Sequence, residues 1–443
     1  MVKLASALSR LNAAKVMVIG DLLLDTYTIG RARRISPEAP VAIVHVQEEN
    51  SRPGGAGNVA LNLISLGLEV VAVGRIGQDW AGDQLKQTLQ QQGVNVEALI
   101  TQIPYRTPVK NRVIAENQQI IRIDYEQALP LPEQLEQQVI EMLPSLLQGI
   151  KVIAISDYGK GFLSPTLLQA LIAQAKECKI PIIADPKGQD FTRYRGATVI
   201  KPNLNEAYQA ANLPQQAALE NVAKAILQMT EAELLMITRS ESGISLFDAM
   251  GSRLDFPVHA KQVKDVTGAG DTVLAMLTCA LANQLTYTEA AHLCNIAAGI
   301  AIERVGCAQV SLMDLAHALL ERDGRNKVFN EEQLFALQEV LKYQSFILLA
   351  LTNIDGITPA LFNAIQQLSQ SQQRLLIYVV EADVNDTLIA MLASLKEVDF
   401  ILIHQESMRL LGEKVCPSAS YLFEDMKLKP IAQISQLWNL LIN

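Results

Sequence analysis

The stretch DVTGAGDTVLAMLTCALA, residues 265–282, decides how this chain is read. It passes from a polar segment through three small residues, Gly268, Ala269 and Gly270, into an apolar, Ala-rich helix. Glycines let a ligand approach the backbone closely. The first turn of a helix offers N–H groups without intrahelical acceptors and the positive end of a dipole. An anion suits such a place, yet Asp271 brings a negative charge of its own. It is either a helix cap or a reagent. As a reagent it takes the proton of an attacking hydroxyl, while the N–H groups of Gly268, Ala269 and Gly270 hold charge developing on a migrating phosphoryl group.

Around this stretch, strand and helix alternate. The apolar runs VMVIG (16–20), KVIAIS (151–156), PIIAD (181–185), ATVIKP (197–202) and LLMIT (234–238) are separated by segments of helical spacing. Strands apolar on both faces predict a parallel sheet between helix layers. Two antiparallel candidates follow, GISLF (243–247) and SRLDF (252–256), then helices over about 269–282 and 286–302. Near the start, YTIG (27–30) and VAIVHV (41–46), split by RARRISPEAP, are not followed by a helix and predict a small sheet projecting from the body. Two more strands are read within 107–126, turning near Glu116 and Asn117. A charged break, ERDGRNKVFNE (321–331), precedes a second alternation from FILLALT to DFILIH. The expected organisation is a first domain over 1–320, a linker and helix over 321–345, and a smaller α/β domain over 346–443.

Composition excludes several classes. A net charge of −9 disfavours a nucleic-acid surface, and Arg31, Arg33 and Arg34 make too short a basic run to act as an arm. The 5 cysteines form no C-x-x-C pair and the 5 histidines are scattered, so no metal cluster is visible and reduced thiols are expected. The segment MVKLASALSRLNAAK lacks a continuous apolar core, and no apolar run reaches membrane-spanning length. A soluble cytoplasmic protein is expected, without nucleic-acid or membrane partners.

Three further stretches carry polar groups at probable strand ends. In GDLLLD (20–25), Asp21 and Asp25 are placed to hold sugar hydroxyls or to cap a turn. RPGGAGNVA (52–60) offers a donor-rich cradle at a helix start without the G-x-G-x-x-G spacing of a dinucleotide fingerprint. In KPNLNE (201–206), Asn203 and Glu206 form a capping box or organise water around Mg²⁺.

Taken in order, the Gly-Gly segment, N-x-x-E and G-A-G-D resemble the ribokinase-like (PfkB) carbohydrate kinases over roughly residues 15–320. The resemblance implies a three-layer α/β/α sandwich with a small β lid, and ATP with Mg²⁺ as phosphoryl donor. It implies Asp271 as catalytic base, with Gly268, Ala269 and Gly270 as anion hole. Asn203 and Glu206 would organise the water of Mg²⁺. Thr238, Arg239 and Gly243 match the nucleotide-phosphate strand and turn, and Asn295 lies where a helix passes the adenine pocket. Asp25, Gly54, Gly55 and Asn58 match sugar-contacting positions. Asp265 and Thr267 match a loop that holds a monovalent cation, K⁺, in some members.

Within that family, RISPEAPV, NRVIAENQQIIRID, SDYGKG, DPKG and FTRYRGAT resemble the kinase half of the bifunctional heptose-7-phosphate kinases/heptose-1-phosphate adenylyltransferases. The implied reaction phosphorylates the anomeric hydroxyl of D-glycero-β-D-manno-heptose 7-phosphate, on the way to ADP-heptose for lipopolysaccharide core. Arg34, Arg112, Lys160 and Lys187 lie in these segments and are candidates for the sugar's own phosphate, or ordinary surface ion-pair partners. The tail resembles a degenerate nucleotidyltransferase: where that family carries H-x-G-H, this chain reads TNIDGITPALFNAIQQL, and His404 stands alone. The expectation is a sugar kinase without adenylyl transfer, assembled as a homodimer. The alternatives are a kinase for another sugar or sugar phosphate and a non-catalytic sugar- or nucleotide-binding regulator.

Overall fold

The computed structural model describes residues 4–431, except 117, 259–262, 305, 323–326, 330–332, 353, 355, 372, 381–385 and 404. Asn117, Asn353 and His404, named above, lie outside the described residues. Two compact units are present: Leu11–Ser311, and Met1–Arg10 together with Leu312–Asn443.

The first unit is built on a nine-stranded sheet. Its order across the sheet is Arg253–Phe256, Ile244–Asp248, Leu234–Thr238, Val199–Ile200, Ile182–Asp185, Ile153–Ser156, Lys15–Gly20, Glu69–Gly77 and Asn95–Gln102. The strands are parallel except for the hairpin at the Arg253–Phe256 edge. Helices join them because each strand is apolar on both faces and needs cover on both. One large cluster packs Ile19, Ile155 and Ile200 of the strands against Leu143, Leu171 and Ile226 of the helices. The chain leaves Lys15–Gly20 in opposite directions along the sheet, towards Glu69–Gly77 and Ile153–Ser156. This is a topological switch point, and open parallel sheets bind ligands outside the strand ends there.

The small sheet is larger than the short segments predict. Leu22–Ile35 and Ala42–Gly55 form a long antiparallel hairpin, Val109–Ala115 pairs parallel to the first of these, and Gln118–Tyr125 completes the four strands. GDLLLD is thus the root of a lid strand rather than a turn. Its polar Asp25, Thr26 and Thr28 hide the strand from period-based reading, although all three are buried.

Arg75, inside the strand Glu69–Gly77, is 1% exposed. Its guanidinium donates to Gln102 Oε1 at 2.6 Å and to the carbonyls of Leu129 and Lys160, and lies 4.0 Å from the centroid of Tyr105. A strand interior is an unlikely-looking place for a charge, and the carbonyl partners are what make it tolerable.

The second unit differs from the expected boundary. Its helix Leu312–Arg322 belongs to it rather than to the first domain, and Leu334–Leu341 belongs to it rather than to a linker; Leu315, Ala316, Leu337 and Leu341 are buried. The N-terminal helix Leu4–Ser9 also belongs to this unit and buries Ala7 and Leu8. Its six-stranded sheet runs Val328–Phe329, Phe400–Leu402, Arg374–Val379, Phe346–Leu351, Ala419–Glu424 and Lys427–Ile431, antiparallel only at the last pair. Leu349, Ile377 and Ile401 pack with Leu361, Ile365 and Leu392 in a core of its own.

Replacing Arg75 with Met should lower the stability of the first unit by about 2–4 kcal/mol, because the Leu129 and Lys160 carbonyls lose their donor inside the fold. A shift of the urea midpoint measured by tryptophan and far-ultraviolet signals checks it; an unchanged midpoint contradicts it.

Candidate active site

Polar side chains collect at the C-terminal ends of the parallel strands. Asp21 follows Lys15–Gly20, Asp157 and Tyr158 follow Ile153–Ser156, Asp185 ends its strand, and Lys201 and Asn203 follow Val199–Ile200. The helix Ala269–Ala282 brings Asp271 to this edge in its first turn.

That helix starts where it does because Gly268 adopts φ 78°, the left-handed region open to glycine. A Cβ at this position would also come 2.7 Å from Asn58 Nδ2. Asp271 is 3% exposed. Its Oδ1 accepts the Tyr158 hydroxyl at 2.7 Å and its Oδ2 accepts Asn58 Nδ2 at 2.9 Å. Asn58 is itself fixed, since Asn62 Nδ2 donates to its Oδ1 at 3.1 Å and the Val310 N–H holds Asn62 Oδ1 at 3.1 Å. Burial pushes the Asp271 carboxyl up to about 7, against the donors Asn58 and Tyr158; the charge of Asp185 adds to the rise and that of Lys201 opposes it. Such a value suits a base working near neutral pH.

On one side of this carboxylate lies a cleft of about 610 Å³. Ala269 and Gly270 line it, with apolar walls from Ile244, Val258, Val263, Val266 and Ile302. Asn203, Thr238, Gly243 and Asn295 line it too. The Asn295 amide donates to the Phe256 carbonyl at 2.6 Å, which ties the helix Tyr287–Ile302 to the hairpin edge of the sheet. Arg239 pairs with Asp255 at 3.3 Å beside this cleft. The Ala269 N–H makes a long, 3.3 Å contact with the Val266 carbonyl.

On the other side lies the root of the lid. Asp25 is buried and ion-paired with Arg112, and Cys307 Sγ donates to its Oδ2 at 3.4 Å. Gly54 is opposite, in register with Leu23; a Cβ on it would sit 2.1 Å from Asp25 Oδ2. Gly55 precedes the helix Ala56–Ser65 that carries Asn58. Asp21 is a brace rather than an open ligand: its Oδ2 accepts the N–H groups of Tyr158 at 3.0 Å and Lys160 at 2.9 Å. Its Oδ1 and the Tyr27 hydroxyl are buried with no partner in the described structure.

The four candidate cations have different settings. Arg112 is at Asp25. Lys160 Nζ lies 2.8 Å from Glu126, which also takes Lys110 at 3.0 Å. Lys187 Nζ lies 2.7 Å from Glu206 Oε1. Arg34 is exposed towards the far end of the lid hairpin, and the structure does not bring it to this cluster. Asn203 and Glu206 do form a capping box, each side chain accepting the other's backbone N–H at 3.0 Å. Asp265 holds its loop through the N–H groups of Thr267 and Gly306, both at 2.9 Å. Burial raises its carboxyl, but these donors outweigh burial and hold it below the usual range.

Sequence reasoning missed Tyr158, Lys201 and Asp185. Lys201 is 2% exposed, lies 2.9 Å from Asp185 Oδ2, and would be 3.9 Å from a Cβ on Gly270, so its charge sits beside the start of the helix Ala269–Ala282. Burial pushes Asp185 up to about 6 in spite of Lys201. The available signal was a lysine immediately after a buried strand and an aspartate ending the neighbouring one.

Residues 13–313 match the pfkB family carbohydrate kinase. The chain belongs to this family. It is 45% identical over 333 residues to the bifunctional protein HldE of Trichlorobacter lovleyi, covering 74% of this chain and 68% of that relative. A bifunctional protein HldE of Histophilus somni is 34% identical over 452 residues, covering 97% of this chain and 93% of its own length. Phosphofructokinase-2 from Escherichia coli, solved in complex with potassium, superposes with a TM-score of 0.60 at 19% identity, over 70% of this chain and 99% of that one. This last likeness is one of fold. As a pfkB family member the chain is an ATP-dependent carbohydrate kinase with the ribokinase-like α/β fold. Among the described residues no group of three or more His, Cys, Asp or Glu is placed to hold a metal ion, and no helix is long and apolar enough to cross a membrane.

Three outcomes are expected for Asp271 read as a catalytic base. The rate should fall about tenfold per pH unit below about 7, where the base is protonated; a flat kcat/KM profile from pH 5 to 8 contradicts this. Its folded carboxyl lies above the ordinary 3.8, so the native state binds the extra proton, and Asp271 weakens the fold increasingly as pH rises from about 4 to 7. Asp271→Asn removes the proton acceptor and should lose about 10²–10⁴ in kcat. Its gain in Tm over the parent should be larger at pH 8 than at pH 5, as read by differential scanning fluorimetry.

Proposed function

We propose that this kinase phosphorylates the anomeric hydroxyl of D-glycero-β-D-manno-heptose 7-phosphate, giving the 1,7-bisphosphate on the way to ADP-heptose. The observation that carries the reading is the position of Asp271, beside the cleft lined by Ala269 and Gly270 and hydrogen-bonded to Asn58 at the root of the lid. The similarity to the bifunctional HldE relatives supports the choice of sugar.

In this reading the nucleotide lies in the apolar cleft, with its phosphates toward Gly268, Ala269 and Gly270. The sugar lies against Asp25, Gly54, Gly55 and Asn58. Asp271 accepts the O1 proton, O1 forms a bond to the γ-phosphorus, and the bond to the β–γ bridging oxygen breaks to leave ADP. First-turn N–H groups and the Lys201 charge face the phosphoryl oxygens. Holding the two reactants in line supplies much of the acceleration.

Mg²⁺, when carried by the nucleotide, neutralises phosphate charge. Asn203 and Glu206 fit such an ion only through water, since both side chains already cap their helix and Glu206 also meets Lys187. Asp265 and Thr267 would frame a K⁺ loop. Arg112, Lys160 and Lys187 are the cations for the far phosphate, each exchanging a carboxylate for it. The second unit would take no part in adenylyl transfer, because its TNIDGITPALFNAIQQL replaces the two histidines that chemistry uses. A cytoplasmic homodimer is the expected setting.

The test is ATP consumption with a panel of sugars and sugar phosphates. Heptose 7-phosphate should be preferred, and heptose 1-phosphate with ATP should release no pyrophosphate. Equal turnover of unphosphorylated sugars, or pyrophosphate release, overturns the reading. Lys160→Met should raise KM for the phosphorylated sugar about tenfold or more while leaving KM for ATP alone, since it removes one charge-assisted contact.

A further inference from the structure

We propose that the Tyr158 hydroxyl is a positioning donor that tunes the carboxylate of Asp271 and that Asp21 locks it in place. The proposal rests on the reading of Asp271 as the base and goes beyond it by assigning what controls that base.

The geometry is closed on every side. Tyr158 follows the strand Ile153–Ser156, and its hydroxyl reaches Asp271 Oδ1 at 2.7 Å. A phenol carries one O–H, and a carboxylate only accepts, so the direction of this bond is settled while Asp271 is ionised. The phenol end is placed by its own backbone. Asp21 Oδ2 takes the N–H groups of Tyr158 and of Lys160, and Asp157 Oδ1 takes the N–H of Gly159 at 2.7 Å. Asp157 Oδ2 is in turn held by the Tyr194 hydroxyl at 2.6 Å. The ring also lies beside Gly55: a Cβ there would be 3.3 Å from Tyr158 Cδ2. The loop therefore has little freedom to carry the hydroxyl away from the base.

The groups facing Asp271 come from five elements. They are Tyr158, Asn58 on the helix Ala56–Ser65, Asp185 at its strand end, Lys201 after Val199–Ile200, and Cys307 beyond the helix Tyr287–Ile302. Lys201 is already committed to Asp185, Cys307 gives its S–H to Asp25, and Asn58 is held by Asn62. Tyr158 is the donor on Oδ1. One donor on each oxygen leaves each a free lone pair for the sugar O1–H. With Tyr158 in place the carboxyl lies near 7, so its ionised form is well populated at neutral pH. Without it a buried carboxylate loses half of its direct hydrogen-bond support and holds its proton to higher pH.

The experiment titrates Asp271 directly and by rate. The full chain, labelled with ¹³C at the aspartate carboxyls, is followed by NMR from pH 5 to 9, and Asp271→Asn identifies the resonance. In Tyr158→Phe the Asp271 titration should move up by about one pH unit. The acid limb of kcat should move with it, so that activity is about tenfold lower on the acid side and within about twofold of the parent at pH 9. KM for ATP should be unchanged. Site-specific 3-fluorotyrosine at 158, a stronger donor of nearly the same shape, should move the limb down and serves if the Phe variant does not fold. An unmoved Asp271 titration in both variants, or a kcat loss equal at every pH, overturns the proposal. Failure of the sugar assignment shows itself separately, as a parent enzyme that does not turn over heptose 7-phosphate although Asp271 titrates as described.

Discussion

A carboxylate shut away from water in the first turn of a helix is the constraint around which the first unit is arranged. Asp271 is in a helix's first turn, where the dipole favours a negative charge, yet burial there opposes one. The two effects leave it near the point of protonation at neutral pH. Everything in contact with it serves to hold that balance. Gly268 lets Asn58 approach, Asn62 aims Asn58, and the loop 157–160 delivers a phenol.

The same edge of the sheet shows a second regularity. Arg112 is paired with Asp25, Lys160 with Glu126, Lys187 with Glu206, and Lys201 with Asp185. Each of these cations is neutralised by a carboxylate at contact distance. In the proposed reading, exchanging a carboxylate for a phosphate oxygen keeps charge neutralised throughout binding. Lys201 and Asp185 stand apart from the other pairs because the lysine is buried, so this pair also fixes the two strand ends.

The second unit repeats the α/β theme with a separate core and a mostly parallel sheet. Its strands are as apolar as those of the first unit, Phe346–Leu351 being buried at all six positions. Such a core says nothing of chemistry, because packing depends on residue volume and pattern while catalysis depends on a few polar groups. The stretch TNIDGITPALFNAIQQL contains no histidine.

Much of this was legible in the linear sequence, and the reason is locality. Helix Ala269–Ala282, the parallel strands and the capping box at Asn203 and Glu206 are set by apolar period, cap chemistry and short spacing, all of which reside in a few consecutive residues. The long lid strands were not, since buried Asp25 and Thr28 break the apolar pattern that period-based reading follows. Nor was the domain boundary, because the charged run after Leu312–Arg322 falls inside a unit that also recruits Leu4–Ser9 from the other end of the chain. The sequence by itself determined which segments fold and that a lone aspartate follows a glycine turn. Only the tertiary structure decided that Tyr158 and Asn58, 113 and 213 residues away, are the groups that hold it. Hydrogen bonds between side chains so far apart follow from how strands and helices pack, and no local pattern encodes them.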